Sequence, residues 1–199
     1  MVNDHITIVT GLGRSGTTMM MRMLHHGGMN VVADDHIRYE ASSRVNNLAT
    51  DGSWLSGCVG KAIKILDPQD NPLPIHFKYR FIWMDRDLEE QAKSMVKFVR
   101  AAGESTPKPV SHFAAGIALD RYRGLSMLHA LAHAAVLLVP FEDVLRDPFG
   151  QAHRVAIFVG GQLDLHRMAA AVVSRPPECL PHFLDIDPVS PADFGRPRG

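Results

Sequence analysis

Cysteine is nearly missing from this sequence: 199 residues hold two, Cys58 and Cys179. Their separation fits no metal-ligand spacing, and a single pair cannot make a disulfide framework. Reduced thiols in a cytoplasmic setting are the expectation. Excess charge is missing as well, since Lys plus Arg and Asp plus Glu each total 21. That balance gives no reason to expect a nucleic-acid partner or an acidic membrane surface. Long apolar runs are also lacking. The longest, AAVLLVPF at 134–141, falls far short of the about 20 residues that a membrane helix needs. Asn3, Asp4 and His5 lead straight into a β-branched run, so no signal-peptide pattern is expected.

What is present suits one packed domain over 1–199. Hydrophobic residues make up 46%, enough for a full core at this length. Ile6–Thr10 reads as a strand of the kind buried in a parallel sheet. A helix is expected over about 16–26, ended by Gly27-Gly28. Strands are expected at 29–33, 61–66, 81–85 and 135–140. Between them, Leu88, Ala92, Met95, Val96 and Val99 form one apolar helical stripe. Further helices are expected at about 112–134, 148–159 and 163–174. From Arg175 onward six prolines predict an irregular tail. Strands alternating with helices predict an α/β fold: a P-loop-type three-layer sandwich around a mainly parallel sheet of about five strands.

The chemistry is concentrated in one loop. Gly11-Leu12-Gly13-Arg14-Ser15-Gly16-Thr17-Thr18 has the frame of a phosphate-binding loop, in which glycines let backbone N–H groups converge on an anion at a helix N-terminus. The lysine of an ATP loop is absent: Thr17 stands in its place. Without it nothing there neutralises β- and γ-phosphates. A cation is offered three residues earlier instead, by Arg14.

GRSGTT resembles the donor loop of the sulfotransferases, and most nearly that of the bacterial branch. These enzymes transfer a sulfonyl group from 3'-phosphoadenylyl sulfate (PAPS), leaving adenosine 3',5'-bisphosphate (PAP). A second signature, an arginine at a strand end and a serine eight residues on, is similar to Arg86 and Ser94 in FIWMDRDLEEQAKSMVKFV. LLVPFEDVLRDP resembles the family's late strand. The resemblance implies that Gly11, Gly13, Arg14, Ser15, Gly16, Thr17 and Thr18 cradle the 5'-phosphosulfate. It further implies that Arg86 and Ser94 hold the 3'-phosphate and that no metal is required. Two family features are missing. Met19 stands where a tryptophan often packs on the adenine, and Leu66 where the histidine of a Lys-x-His base would follow Lys64.

Arg14 and Lys64 are therefore the expected catalytic cations, and Asp35, His36 and Asp67 the candidates for the base that takes the acceptor's proton. A small-molecule acceptor carrying a hydroxyl or amine completes this reading. Two alternatives stand beside it. One is a kinase using Mg-ATP, with Asp85 as the magnesium-associated acid; the other is a nucleotide-binding protein without catalysis. His129 and His133, four apart on the expected long helix, lack a third ligand.

Overall fold

A computed structural model describes residues 4–34, 39–45, 48 and 51–173. Five strands form one sheet: β1 (Ile6–Thr10), β2 (Val31–Val32), β3 (Ala62–Lys64), β4 (Tyr79–Asp85) and β5 (Ala134–Pro140). Their order is β2-β3-β1-β4-β5 and every pairing is parallel. All five residues of β1 are buried, as expected for a central strand covered on both faces. The chain runs from β1 outward to β2, returns through β3, then crosses β1 to β4. The loop leaving β1 thus lies at the switch point on the carboxyl edge, where open α/β sheets bind ligands.

Among the described residues seven α-helices accompany the sheet: α1 (Thr17–His26), α2 (Ser42–Val45), α3 (Leu88–Ala101), α4 (Val110–Ala130), α5 (Phe141–Arg146), α6 (Pro148–Val159) and α7 (Leu165–Ala170). Alternation along β4 sorts them into two layers. Tyr79, Phe81 and Trp83 join a core with Ala92 of α3 and with Ile117 and Leu128 of α4. Ile82 and Met84 join the other core, with Met20, Met21, Met23 and Leu24 of α1, Val155 of α6 and Met168 of α7. Each fully buried large apolar side chain of this kind contributes about 1.5–3 kcal/mol.

Several boundaries differ from expectation. The second strand shrinks to Val31–Val32, and α7 is shorter than 163–174. The long helix stops at Ala130, because Leu131 is extended at φ −77° and ψ 120°. His133 therefore lies beyond α4, where its carbonyl accepts from Tyr79 N. It shares no helical face with His129. Helix α5 went unforeseen; it starts directly after Pro140, whose φ of −64° suits a helix entrance. By contrast α6 shows every signal at once: Asp147 caps it, Pro148 opens it and Gly160 closes it at φ 72°. The proline-rich tail and Cys179 lie outside the described residues. Cys58 is buried with a free thiol, and no described helix is long and apolar enough to cross a membrane.

Candidate functional site

The loop after β1 is fitted so closely that two of its glycines admit no side chain. Gly11 has φ 139°, and a Cβ there would lie 2.6 Å from the Met84 carbonyl oxygen and 2.8 Å from Ser15 Oγ. A Cβ on Gly16 would run into the Phe141 ring. Between them Arg14 takes a left-handed conformation at φ 69°, which costs a non-glycine residue about 1–2 kcal/mol. Gly16 leads into α1, whose N-terminus has no side-chain cap and no acid in its first turn. Helices α3, α6 and α7 are each capped by an aspartate, Asp87, Asp147 and Asp164. The leading N–H groups of α1 are thus left for an anion.

Helix α3 supports the loop with one face. Gln91, only 3% exposed, donates from Nε2 to Gly13 O at 2.8 Å. Arg14 Nε donates to Ser94 Oγ at 3.2 Å, and its guanidinium sits 5.4 Å from the Phe98 ring centre. Met95 reaches to 3.2 Å from where a Gly13 Cβ would stand. Gln91, Ser94, Met95 and Phe98 share the 3–4–7 spacing of a helical stripe. That stripe was the available signal for Gln91, which the sequence reading missed. The expected apolar stripe is only partly buried: Ala92 and Val96 are enclosed, while Leu88 is 38% exposed.

Arg86 leaves the carboxyl end of β4. Its Nη1 donates to Arg14 O at 3.1 Å, and its guanidinium lies 4.7 Å from the Phe141 ring centre. Burial, and secondarily the Arg86 charge, holds the Arg14 guanidinium below its ordinary pKa. Neither arginine has an ion-pair partner among the described residues. Arg86 Nε and Ser15 Oγ are buried without a hydrogen-bond partner there. Two neighbouring cations and two orphaned donors are groups that an anion would satisfy.

Lys64 lies on the opposite flank. It is 4% exposed, and its Nζ donates to Thr18 Oγ1 at 3.3 Å and to Glu40 Oε1 at 3.2 Å. Glu40 is the partner that sequence reasoning missed, because 24 positions separate it from Lys64. Its backbone is fixed twice. Glu40 O accepts from Asp34 N at 2.8 Å, and the preceding Tyr39, left-handed at φ 55°, has its hydroxyl 3.0 Å from His25 Nδ1. Arg14 and Lys64, expected together on the transferred group, are therefore directed apart: Arg14 toward α3, Lys64 toward Thr18 and Glu40.

Among the base candidates, Asp67 lies beneath the loop, its backbone N donating to Gly11 O at 3.2 Å. Asp35 and His36 lie outside the described residues. Asp85, the acid a magnesium-dependent kinase would use, is gripped on the α4 side by Arg121, through Nε at 2.8 Å and Nη2 at 2.5 Å.

No family model and no curated protein sequence matches this chain. Solved structures do. A mouse sulfotransferase complexed with PAP superposes with a TM-score of 0.58 at 14% identity, over 90% of this chain and 70% of its own. Retinol dehydratase in complex with androsterone and the inactive cofactor PAP gives 0.53 at 16%, over 86% of this chain. This chain spans 64% of that protein's length. The sulfotransferase domain of a Synechococcus olefin synthase gives 0.52 at 15%, over 96% of this chain and 86% of its own. The fold is that of the sulfotransferases, an all-parallel α/β sheet with helices on both faces.

Proposed function

We propose that the chain is a sulfotransferase that takes its sulfonyl group from PAPS and passes it to a hydroxyl or amine of a small acceptor in the cytoplasm. The observation that carries this reading is the pair Arg14 and Arg86, joined through Arg14 O and lacking a carboxylate partner among the described residues, with Ser94 beside them. The orphaned Arg86 Nε and Ser15 Oγ, and a loop with no room for a Cβ at Gly11, fit a nucleotide with a phosphate at each end. The likeness to PAP complexes supports the same donor.

When bound, PAPS supplies an electrophilic sulfonyl group on a bisphosphate leaving group. The chain's own residues divide the remaining work. The open N–H groups of α1 receive the 5'-phosphate end, while Arg86 and Ser94 hold the 3'-phosphate. Lys64, anchored by Thr18 Oγ1, offsets negative charge that develops on the transferred group and the departing oxygen. In this proposal Glu40, at 3.2 Å from Lys64 Nζ, takes the proton of the acceptor's hydroxyl or amine as that group attacks. Asp67, Asp35 and His36 remain rival bases in this proposal. Asp85, the acid that the Mg-ATP reading needs, is paired with Arg121.

Thermal unfolding with PAP, and separately with Mg-ATP, tests the donor. Saturation at 100 times Kd adds about 2.7 kcal/mol of apparent stability. The expected result is a clear shift with PAP that Arg86→Ala removes. A shift with Mg-ATP alone would overturn the proposal in favour of a kinase. PAP binding without transfer to any hydroxyl or amine panel would favour a non-catalytic binder. Glu40→Gln should leave PAP binding intact and lower the transfer rate by about 100-fold.

A further inference from the structure

Arg86 is surrounded by acids yet paired with none of them. Asp85 and Asp87 flank it in sequence, and Glu142 accepts from Asp87 N at 3.2 Å. Asp87 is occupied as the cap of α3, accepting from Glu90 N at 2.9 Å. Asp85 is the acid best placed to compete. It lines the same cavity as Arg86, about 270 Å³ between α3 and α4, together with Gln91, Ile117 and Arg121. A carboxylate there would either pair with Arg86 or repel an arriving phosphate.

The fold prevents both by means of α4. Trp83 and Asp85 stand two apart on β4 and so share its α4-facing side. Gly124 and Arg121 stand three apart on α4, one turn of the same helical face. A Cβ on Gly124 would lie 2.8 Å from the Trp83 ring, so only glycine lets the helix approach this near. That approach brings Arg121 onto Asp85 in a two-pronged contact, Nε at 2.8 Å and Nη2 at 2.5 Å. Such a fork fixes both carboxylate oxygens.

We infer that Arg121 keeps Arg86 available to a 3'-phosphate by sequestering Asp85, and so sets the preference for nucleotides that carry that phosphate. Arg121 is a positioning residue in this role, acting through Asp85. The inference rests on the donor reading above. It adds to that reading a discrimination between adenosine 3',5'-bisphosphate and adenosine 5'-phosphate that is controlled from α4.

Calorimetric titration of both nucleotides at one fixed salt concentration tests it, with Arg121→Gln, Asp85→Asn and the double variant beside the parent chain. Arg121→Gln should weaken bisphosphate binding by about tenfold and leave the monophosphate unchanged, as expected for residues coupled in one charge network. Asp85→Asn removes the competing acid and releases a cation into the cavity, so the bisphosphate should bind more tightly. A gain of this kind cannot come from misfolding. The double variant should return to within about threefold of the parent. The inference is overturned if Arg121→Gln weakens both nucleotides alike, or if Asp85→Asn in the double variant restores nothing. Should the parent chain itself not distinguish the two nucleotides, the donor reading falls first.

Discussion

Arg86 Nη1 donates to the carbonyl oxygen of Arg14 at 3.1 Å, so the end of β4 and the left-handed turn of the loop form one frame. Two residues 72 positions apart thereby tie the loop after β1 to the end of β4. The consequence is that charge alone at position 86 should not suffice. Arg86→Lys keeps the charge but loses the fork that spans Arg14 O and a phosphate. Its affinity for PAP should fall about 30-fold, or about 2 kcal/mol, within the about 1.5–3 kcal/mol assigned to bonds of charged groups, as measured by calorimetric titration.

Gly11→Ala should damage the loop more than an ordinary glycine replacement. Its Cβ meets the Met84 carbonyl, a backbone atom of β4 that cannot swing away. Gly28→Ala provides the comparison, because Gly28 also has positive φ, 94°, but nothing within 4 Å of a Cβ. Conformational strain alone costs about 1–2 kcal/mol at Gly28. Urea unfolding should show a larger loss at Gly11, with PAP binding abolished only there.

Gln91 connects the helix that carries Ser94 to the loop, through Gly13 O. Gln91→Ala leaves that carbonyl unsatisfied, at a cost of about 1–3 kcal/mol, and should weaken PAP binding. Gln91→Glu should do more: it sets a carboxylate against a carbonyl oxygen, beside Arg14 and Arg86. Loss of all PAP stabilisation in Gln91→Glu, against partial loss in Gln91→Ala, is the expected pattern in thermal unfolding. Equal effects would deny the two arginines their role as the anion site.

At the opposite edge of the sheet His5 is 5% exposed, with Nε2 lacking a partner among the described residues. Burial first, and the Arg80 charge second, hold its pKa below the ordinary 6.5, while Asp4 and the Val159 backbone pull it upward. The folded state therefore binds fewer protons than the unfolded chain just below pH 6.5. Stability should be complete above that value and fall as pH drops through it, by at most about 1.4 kcal/mol per pH unit for this one proton. His5→Gln should flatten that part of the urea-midpoint profile.

The phosphate loop was legible because its requirements are local. A β-branched run, glycines at 11, 13 and 16 and hydroxyls at 17 and 18 declare a strand, an anion cradle and a helix start. The sheet covered on both faces was legible as well, through strands alternating with helices, and α3 through its helical spacing. Helix α5 was not, since six residues between a proline and an aspartate carry too short a pattern to count. The end of α4 was misjudged because helix formers continue past Ala130, while the chain must turn there to bring His133 O to Tyr79 N.

By itself the sequence determined the α/β class, the glycine loop after β1 and the missing lysine at Thr17, all written in neighbouring residues. Which side chains meet was decided by the tertiary structure alone. It turned Arg14 toward α3 and set Glu40 on Lys64. It also placed Gln91 on Gly13 O and Arg121 on Asp85. Each of these contacts joins segments distant in the chain that a parallel sheet, with strand order different from chain order, brings together. Linear spacing therefore carries no trace of them, and only packed layers bring such residues within 3 Å or so of one another.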